Sequence, residues 1–439
     1  MMNFILEKEF VPAIDSFNEF EESASKEITL TIKRGEEIIF PFKMKISDDF
    51  ALSYFFVKKI ILTLFWMVGG EKLLFKGDHS FFLYLKKEME NDLEVQNTLE
   101  EISNIFGKKV QLEETSLDYK KKDQISVFSC SFSGNRIGID LGGSDRKVTA
   151  VSNNEVVFST ETLWSPKKEK DPSYHMKGIL DSINKAKEHL PSIDAIGFST
   201  AGVVLDNELA FAALYASTSK EDKEKYARYV FKDIMKEHFP NVPFVVENDG
   251  DISAIGASFI FNKNYVLGLA LGTSFAAGYS ANKSLMNWIN ELSKTPINFS
   301  PLARKHYIFG IEGAASEYLS QKGLILLLEK NGLKLEGDLP QKLLKIQELA
   351  KENNQLVLDA YHDMGIYLGA SIRFYSLFYR IESVLLLGRV LSGKGGEVIK
   401  SVAKEYLNSF NMNIDVFSGD ESFKRLGQSY VAASLPIIK

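Results

Sequence analysis

Apolar positions along the chain follow two periods, and their arrangement changes near residue 120. Residues 27–46 (EITLTIKRGEEIIFPFKMKI) alternate apolar and polar on both sides of Arg34-Gly35-Glu36, the pattern of an antiparallel hairpin. Residues 50–64 carry apolar side chains at helical spacing, and 65–68 form a short apolar run closed by Gly69-Gly70. This predicts helix, strand and turn in that order. Residues 79–107 are rich in helix formers and interrupted only near Asn91, which predicts one or two helices. The polar run LDYKKKD at 117–123 reads as a linker.

Beyond the linker, short β-rich runs ending in glycine turns alternate with amphipathic segments, the pattern of an α/β fold. Strands are expected at 136–140, 147–152, 155–160, 195–198, 244–247, 265–270 and 383–387. Helices are expected at 174–190, 220–238, 313–321, 340–378 with interruptions, and 396–408. No repeat of fixed period is visible. The expected organisation is an α+β accessory domain over 1–125, then one lobe over 126–250 and another over 251–439.

Composition narrows the function. A chain of 439 residues exceeds one ordinary core, and 45% hydrophobic with 25% charged residues is the balance of a globular protein rather than a disordered one. The net charge of -6 includes no basic stripe, so nucleic acid is not an expected partner. Cys130 is the only cysteine, which excludes an internal disulfide framework and a cysteine zinc cluster, and suits a reducing cytoplasm. The start MMNFILEKEF lacks a basic segment followed by a long apolar run, so no secretory signal is expected. The apolar stretch at 60–70 is shorter than the ~20 residues that span a bilayer and reads as buried core, without membrane contact.

Four segments carry chemistry. In IGIDLGGSDRK, at 137–147, a strand delivers Asp140 to its end, and Gly142-Gly143 let backbone amides approach a polyphosphate. Ser144 adds a hydroxyl and Lys147 a charge, while Asp140 is placed to hold Mg²⁺ through water. The bland alternative is a plain hairpin turn. In FVVENDGD, at 244–251, three carboxylates and an amide crowd a strand-to-helix junction, which is costly without a ligand. Asp249 is the expected general base and Asn248 a hydroxyl-binding neighbour; a helix N-cap would explain one acidic residue but not the whole run. In VLGLALGTS, at 266–274, Gly272, Thr273 and Ser274 can present amides and hydroxyls to phosphates, and read alone the segment is equally an ordinary turn. In LLLGRVLS, at 385–392, Gly388 sits in a strand-turn that could line an adenine or ribose pocket.

The order of these segments resembles the actin, heat-shock ATPase and sugar kinase superfamily, and within it the ROK family of repressors and sugar kinases. DLGGSDRK resembles the glucokinase pattern D-x-G-G-T-N-x-R, with Ser144 for Thr and Lys147 for Arg. IGFSTAGVVLDNE, at 196–208, is similar to the G-x-x-x-P-G-x-x-D segment, with Ala201 for proline. VENDGD resembles N-D-A-N, which puts the family's catalytic aspartate at Asp249, and LGLALGTSFAAGYS resembles G-T-G-x-G-x-G, with Ser274 and Ala276 for glycines. FKRLGQSYVAASLP is similar to the closing helix, so the resemblance runs from Asn135 to Lys439.

It implies two ribonuclease H-like lobes around an interlobe cleft, Mg²⁺ and ATP as cofactors, a sugar substrate, and Asp249 as base; the hairpin and aromatic residues of the first 125 residues suggest a domain that packs on the kinase or forms a homodimer. The departures matter as much. Many members carry G-E-x-G-H and a cysteine-rich zinc site; the matching stretch here retains Glu291 as a sugar contact, with Lys294 in the histidine position, Ala314 in a cysteine position and Ser316 in that of a sugar-binding glutamate. No thiolate zinc site is possible there, and the sugar selectivity must differ. Two rivals remain: a silent sugar or nucleotide sensor on the same fold, and a kinase for an amino sugar or another small metabolite. No winged helix-turn-helix precedes the lobes, and no chemistry attaches to the first 125 residues.

Overall fold

The computed structural model describes residues 2–419 and 421–438, with backbone alone for 421–426. Lys439 and the side chains of Phe423 to Leu426, part of the closing-helix resemblance, lie outside the described residues. In chain order the elements are α1 (Ala13–Ser23), β1 (Lys26–Arg34), β2 (Ile38–Ile46), α2 (Phe50–Met67), β3 (Lys72–Lys76), α3 (His79–Asn91), α4 (Leu93–Phe106), β4 (Gln111–Glu114), β5 (Ile125–Ser126), β6 (Asn135–Leu141), β7 (Asp145–Ser152) and β8 (Glu155–Leu163). Then follow α5 (Ser173–Lys187), β9 (Ala195–Thr200), β10 (Val203–Leu205), β11 (Glu208–Phe211), α6 (Lys220–Asp222), α7 (Val230–His238), β12 (Phe244–Asn248), α8 (Asp249–Ile260), β13 (Val266–Leu271), β14 (Phe275–Ala281) and β15 (Ser284–Met286). The chain ends with α9 (Gln321–Lys330), α10 (Leu339–Lys351), α11 (Gln355–Tyr375), β16 (Ser383–Leu387), α12 (Gly393–Ser409), β17 (Asp415–Ser418) and α13 (Glu421–Ser434).

Two compact units result. The first comprises Met1–Gln124, Leu269–Ala277 and Trp288–Ser418, and the second Ile125–Gly268, Gly278–Asn287 and Gly419–Lys439. The first 124 residues therefore share a unit with the segment after residue 288, and the division near residue 250 read from the sequence is not where the chain divides. The units also meet in the chain at 124/125.

In the first unit, β2-β1-β3-β4 form a sheet, with β1 and β2 antiparallel about the expected turn. Gly35 takes φ +56° there, a conformation that costs glycine little. α2 runs on through Met67, so the apolar run at 65–68 is helix and not strand; the strand β3 follows only after Gly69-Gly70. α2 is long and apolar enough to cross a membrane. Most of it is buried inside this unit, where Lys58 pairs with Asp92 at 3.0 Å and the Nζ of Lys59 donates to the Glu312 carbonyl at 2.9 Å. The expected helix at 313–321 is a 3₁₀ turn at Ala315–Glu317, and α9 begins only at Gln321, capped by Ser320. The expected helix at 220–238 is likewise divided, with a π-helical turn at Lys223–Ala227.

In the second unit, a sheet of order β12-β9-β6-β7-β8 pairs β6, β9 and β12 in parallel and β6, β7 and β8 antiparallel. Ile137, Ile139, Ile196, Phe198 and Val246 pack with α5 and α7 in its core. A second device holds α13 against β6 and β9. Gly138 and Gly197 stand in register on these strands, and a Cβ on either would overlap the carbonyl oxygen of Ser429 or Ala432. The helix backbone thus lies directly on the sheet. Thr149 and Ser429 hydroxyls meet there at 2.8 Å, and Nε2 of Gln428 donates to the Asp249 carbonyl at 3.1 Å.

Because the obstacle at these glycines is backbone, neither neighbour can turn aside. Gly138→Ala or Gly197→Ala is expected to lower stability by about 3 kcal/mol, the upper end of ordinary overpacking, measured as a shift in the urea midpoint. Gly35→Ala, where nothing lies within 4 Å, should cost about 1–2 kcal/mol, from backbone strain alone.

Candidate functional site

The parallel strands of the second unit end together. Leu141, Thr200 and Asn248 stand in register at the ends of β6, β9 and β12, so the turn after Asp140 and the start of α8 meet at one sheet edge. Ligands of open α/β sheets bind at such carboxyl ends.

One residue back, Asp140, Ser199 and Glu247 form a row across the same three strands. Ser199 donates its hydroxyl to the Asp140 carboxylate at 2.8 Å. Burial pushes the Asp140 carboxyl up to about 6, against the opposing pull of the Ser199 hydrogen bond and the Lys147 charge. Burial likewise raises Glu247 well above the usual carboxylate range, with Asp251 and Asp206 adding to the effect. Burial at this junction thus favours the neutral forms of Asp140 and Glu247 more than solvent would. Asp251 is satisfied in another way, since its carboxylate accepts the Tyr279 amide at 3.0 Å.

The turn between β6 and β7 is tight. The Gly142 amide donates to the Asp145 carbonyl at 2.9 Å, and the Ser144 hydroxyl donates to the Asp145 carboxylate at 2.9 Å. Both groups, expected to face a phosphate, are engaged within the turn. The amides of Gly143 and Ser144 make no backbone bond of this kind among the described residues. Lys147 stands opposite Asp140 in the ladder, with Nζ 3.9 Å from the Asp145 carboxylate.

Asn248 is the N-cap of α8. Its Oδ1 accepts the Gly250 amide at 2.7 Å and the Asp251 amide at 3.4 Å, while its Nδ2 donates to the Gly202 carbonyl at 2.7 Å. The cap is thus the amide and neither aspartate, and a sugar hydroxyl would find only the remaining capacity of this side chain. Asp249 opens the helix half-buried, its Oδ1 accepting the Gly250 amide at 2.9 Å. Ser199 went unrecognised in the sequence. Its signal was the polar pair Ser199-Thr200 closing the apolar strand AIGF.

The first unit brings together the other two glycine segments. Gly388 takes φ +105°, and a Cβ there would overlap the Leu271 carbonyl. Beside it, the Gly272 amide donates to the Ser274 carbonyl at 2.9 Å, and the Gln321 amide donates to the Gly272 carbonyl at 2.8 Å. Thr273 and Ser274 are exposed at the tip of this turn.

Glu291 lies in a loop held by the first 124 residues. The Asn290 and Glu291 amides donate to the Met67 and Trp66 carbonyls at 3.0 and 2.8 Å, which satisfies the last turn of α2. The Glu291 carboxylate takes a short ion pair from Lys294 and the Ser293 hydroxyl at 3.3 Å. Lys294 also rests 4.8 Å from the Trp66 ring centroid, a cation–π contact. Burial, with the charges of Lys294 and Lys322, pushes His306 down to about 4. Ser316, in the position of a family glutamate, is buried, and its hydroxyl has no hydrogen-bond partner among the described residues. Among the described residues, no group of three or more His, Cys, Asp or Glu side chains is placed to hold a metal. A single buried carboxylate such as Asp140 still suits Mg²⁺, which keeps several waters and takes its other ligands from phosphate.

Residues 136–425 match the ROK family model, and the chain belongs to that family. Its fold is that of the actin and hexokinase superfamily. Similar solved structures include a ROK family glucokinase from Streptomyces griseus in complex with glucose and AMPPNP, 18% identical with a TM-score of 0.52 over 69% of this chain and 98% of that one. The ROK hexokinase from Thermus thermophilus is 15% identical, with a TM-score of 0.53 over 68% and 98%. A ROK family transcriptional regulator, a homologue of the E. coli MLC protein, is 14% identical, with a TM-score of 0.55 over 68% and 78%. No curated protein matches the sequence.

Asp140 supplies a pH test. Its carboxyl is raised from 3.8 to about 6 on folding, so the folded state binds the proton more tightly. The associated stability is present below pH 4 and is lost as pH rises through 6. Asp140→Asn should flatten this loss, by up to about 3 kcal/mol for a shift of two units, in urea titrations between pH 4 and 7.

Proposed function

We propose that this protein transfers the terminal phosphoryl group of ATP to a hydroxyl of a hexose or related sugar, with Asp249 as general base. The reading rests on one observation: in a ROK chain, the ends of β6, β9 and β12 gather Asp140, the Gly142-Gly143-Ser144 turn, Asn248 and Asp249 at one edge. The glucose and AMPPNP bound by the Streptomyces griseus glucokinase supply the substrate class.

When bound, Mg·ATP supplies the phosphoryl group and neutralises its charge. In this reading the Gly143 and Ser144 amides hold phosphate oxygens, and Lys147 keeps Asp140 and Asp145 from repelling them. Ionised Asp140 orients the hydrated metal. Asp249 accepts the proton of the attacking sugar hydroxyl at its carboxylate, and the Asn248 amide holds a neighbouring hydroxyl with its remaining hydrogen-bond capacity. In the first unit, Gly272, Thr273 and Ser274, with Gly388, are the proposed nucleotide contacts of that unit, and Glu291 is its proposed sugar contact. Catalysis then consists of positioning and charge neutralisation.

The pairing of Glu291 with Lys294 favours a second reading, in which the chain binds a sugar or nucleotide without turnover. An assay coupled to ADP release, run over neutral and amino sugars, separates the two. At least one sugar should stimulate ADP release, and Asp249→Asn should lower kcat by roughly 10²- to 10⁴-fold, the usual contribution of a general base, with sugar affinity by calorimetry retained. Sugar binding by calorimetry without stimulated ADP release from the wild type would establish the sensor instead.

A further inference from the structure

Lys167 lies in the 3₁₀ turn Pro166–Lys168 that follows β8, well away in sequence from every glycine segment. A Cβ added to Gly143 would sit 3.5 Å from its Cε and 3.7 Å from its Nζ. The ammonium group therefore stands over the tip of the β6–β7 turn.

Three anchors put it there. Trp164 donates its indole Nε1–H to the Gly142 carbonyl at 2.8 Å and its amide to the Ser144 carbonyl at 3.1 Å, tying the segment to both sides of the turn. From below, the Ser217 hydroxyl donates to the Lys167 carbonyl at 2.6 Å. The backbone of Lys167 is thus fixed while its side chain is exposed. Among the described residues it makes no ion pair within 4.0 Å, unlike Lys147 beside Asp145 or Lys185 beside Asp181.

Charge bookkeeping at the turn gives this a purpose. Asp140 stands opposite Lys147 in the ladder and Asp145 lies 3.9 Å from the same lysine, so with both carboxylates ionised the local balance is negative before any ligand arrives. A polyphosphate brings several more negative charges to amides that are already partly committed. A further cation at the tip favours its approach, since Coulomb attraction and a charge-assisted hydrogen bond both act there. Lys167 is the cation placed there.

We propose that Lys167 is a phosphate-binding residue that grips the polyphosphate tail of a nucleoside triphosphate over Gly143, while Lys147 serves to neutralise Asp140 and Asp145. The assignment rests on the nucleotide reading above and extends it to a residue outside the four glycine and carboxylate segments.

Calorimetry on the full chain with magnesium-free inorganic tripolyphosphate and, separately, with adenosine tests it. Lys167→Met should weaken tripolyphosphate binding by on the order of ten- to hundredfold, the worth of one hydrogen bond to a charged group, and should lessen its salt dependence. Lys167→Arg should bind tripolyphosphate within roughly threefold of wild type, since the charge is kept. Adenosine affinity and the melting curve should be the same in all three proteins. Tripolyphosphate binding by Lys167→Met equal to wild type would overturn the assignment and leave the nucleotide reading standing. A wild type that binds adenosine but no tripolyphosphate also overturns it, and one that binds neither ligand removes the nucleotide reading together with it.

Discussion

The second unit is organised around a place where a helix backbone touches a sheet with no side chain between them. Gly138 and Gly197 leave a smooth patch on two neighbouring strands, and α13 lies on it through Ser429, Ala432 and Ala433. Close-packed interiors transmit such constraints, because no void remains to absorb a shift. The same helix reaches the first turn of α8 through Gln428, which donates to the Asp249 carbonyl and the Ser253 hydroxyl. The depth at which α13 sits therefore fixes both the strand ends and the helix that opens with Asp249.

Electrostatics at those strand ends follow from burial. Burial is the largest influence on Asp140 and Glu247 and favours their neutral forms, as expected when desolvation dominates. Asp251, by contrast, is already committed to a backbone amide.

The first 124 residues acquire a role from their contacts within the first unit. The last turn of α2 receives the amides of Asn290 and Glu291, Trp66 lies beneath Lys294, and Lys59 holds the Glu312 carbonyl. Asn97 on α4 adds a bond to the Phe309 carbonyl at 3.3 Å. The loop that carries Glu291 is shaped by these partners, and the first 124 residues are part of its scaffold.

Much of this was legible from residue order. Alternation about Gly35, the apolar strands expected to end at Asp140, Glu247 and Ala270, and the glycine turns after them are local signals, set by side-chain period and backbone freedom. Local signals failed where tertiary burial overrides them: α2 swallowed the apolar run at 65–68 because a helix buried on all sides has no polar face to end it, and 313–321 is held as irregular backbone by distant partners such as Asn298, Thr295 and Arg304. The capping role of Asn248, the Ser199 bond to Asp140, the lysine over Gly143 and the membership of residues 1–124 in a unit with residues 288–418 depend on groups far apart in sequence. Which residues can do chemistry is written in their order; which of their hydrogen bonds and charges are already spent is decided only when packing brings their neighbours within reach.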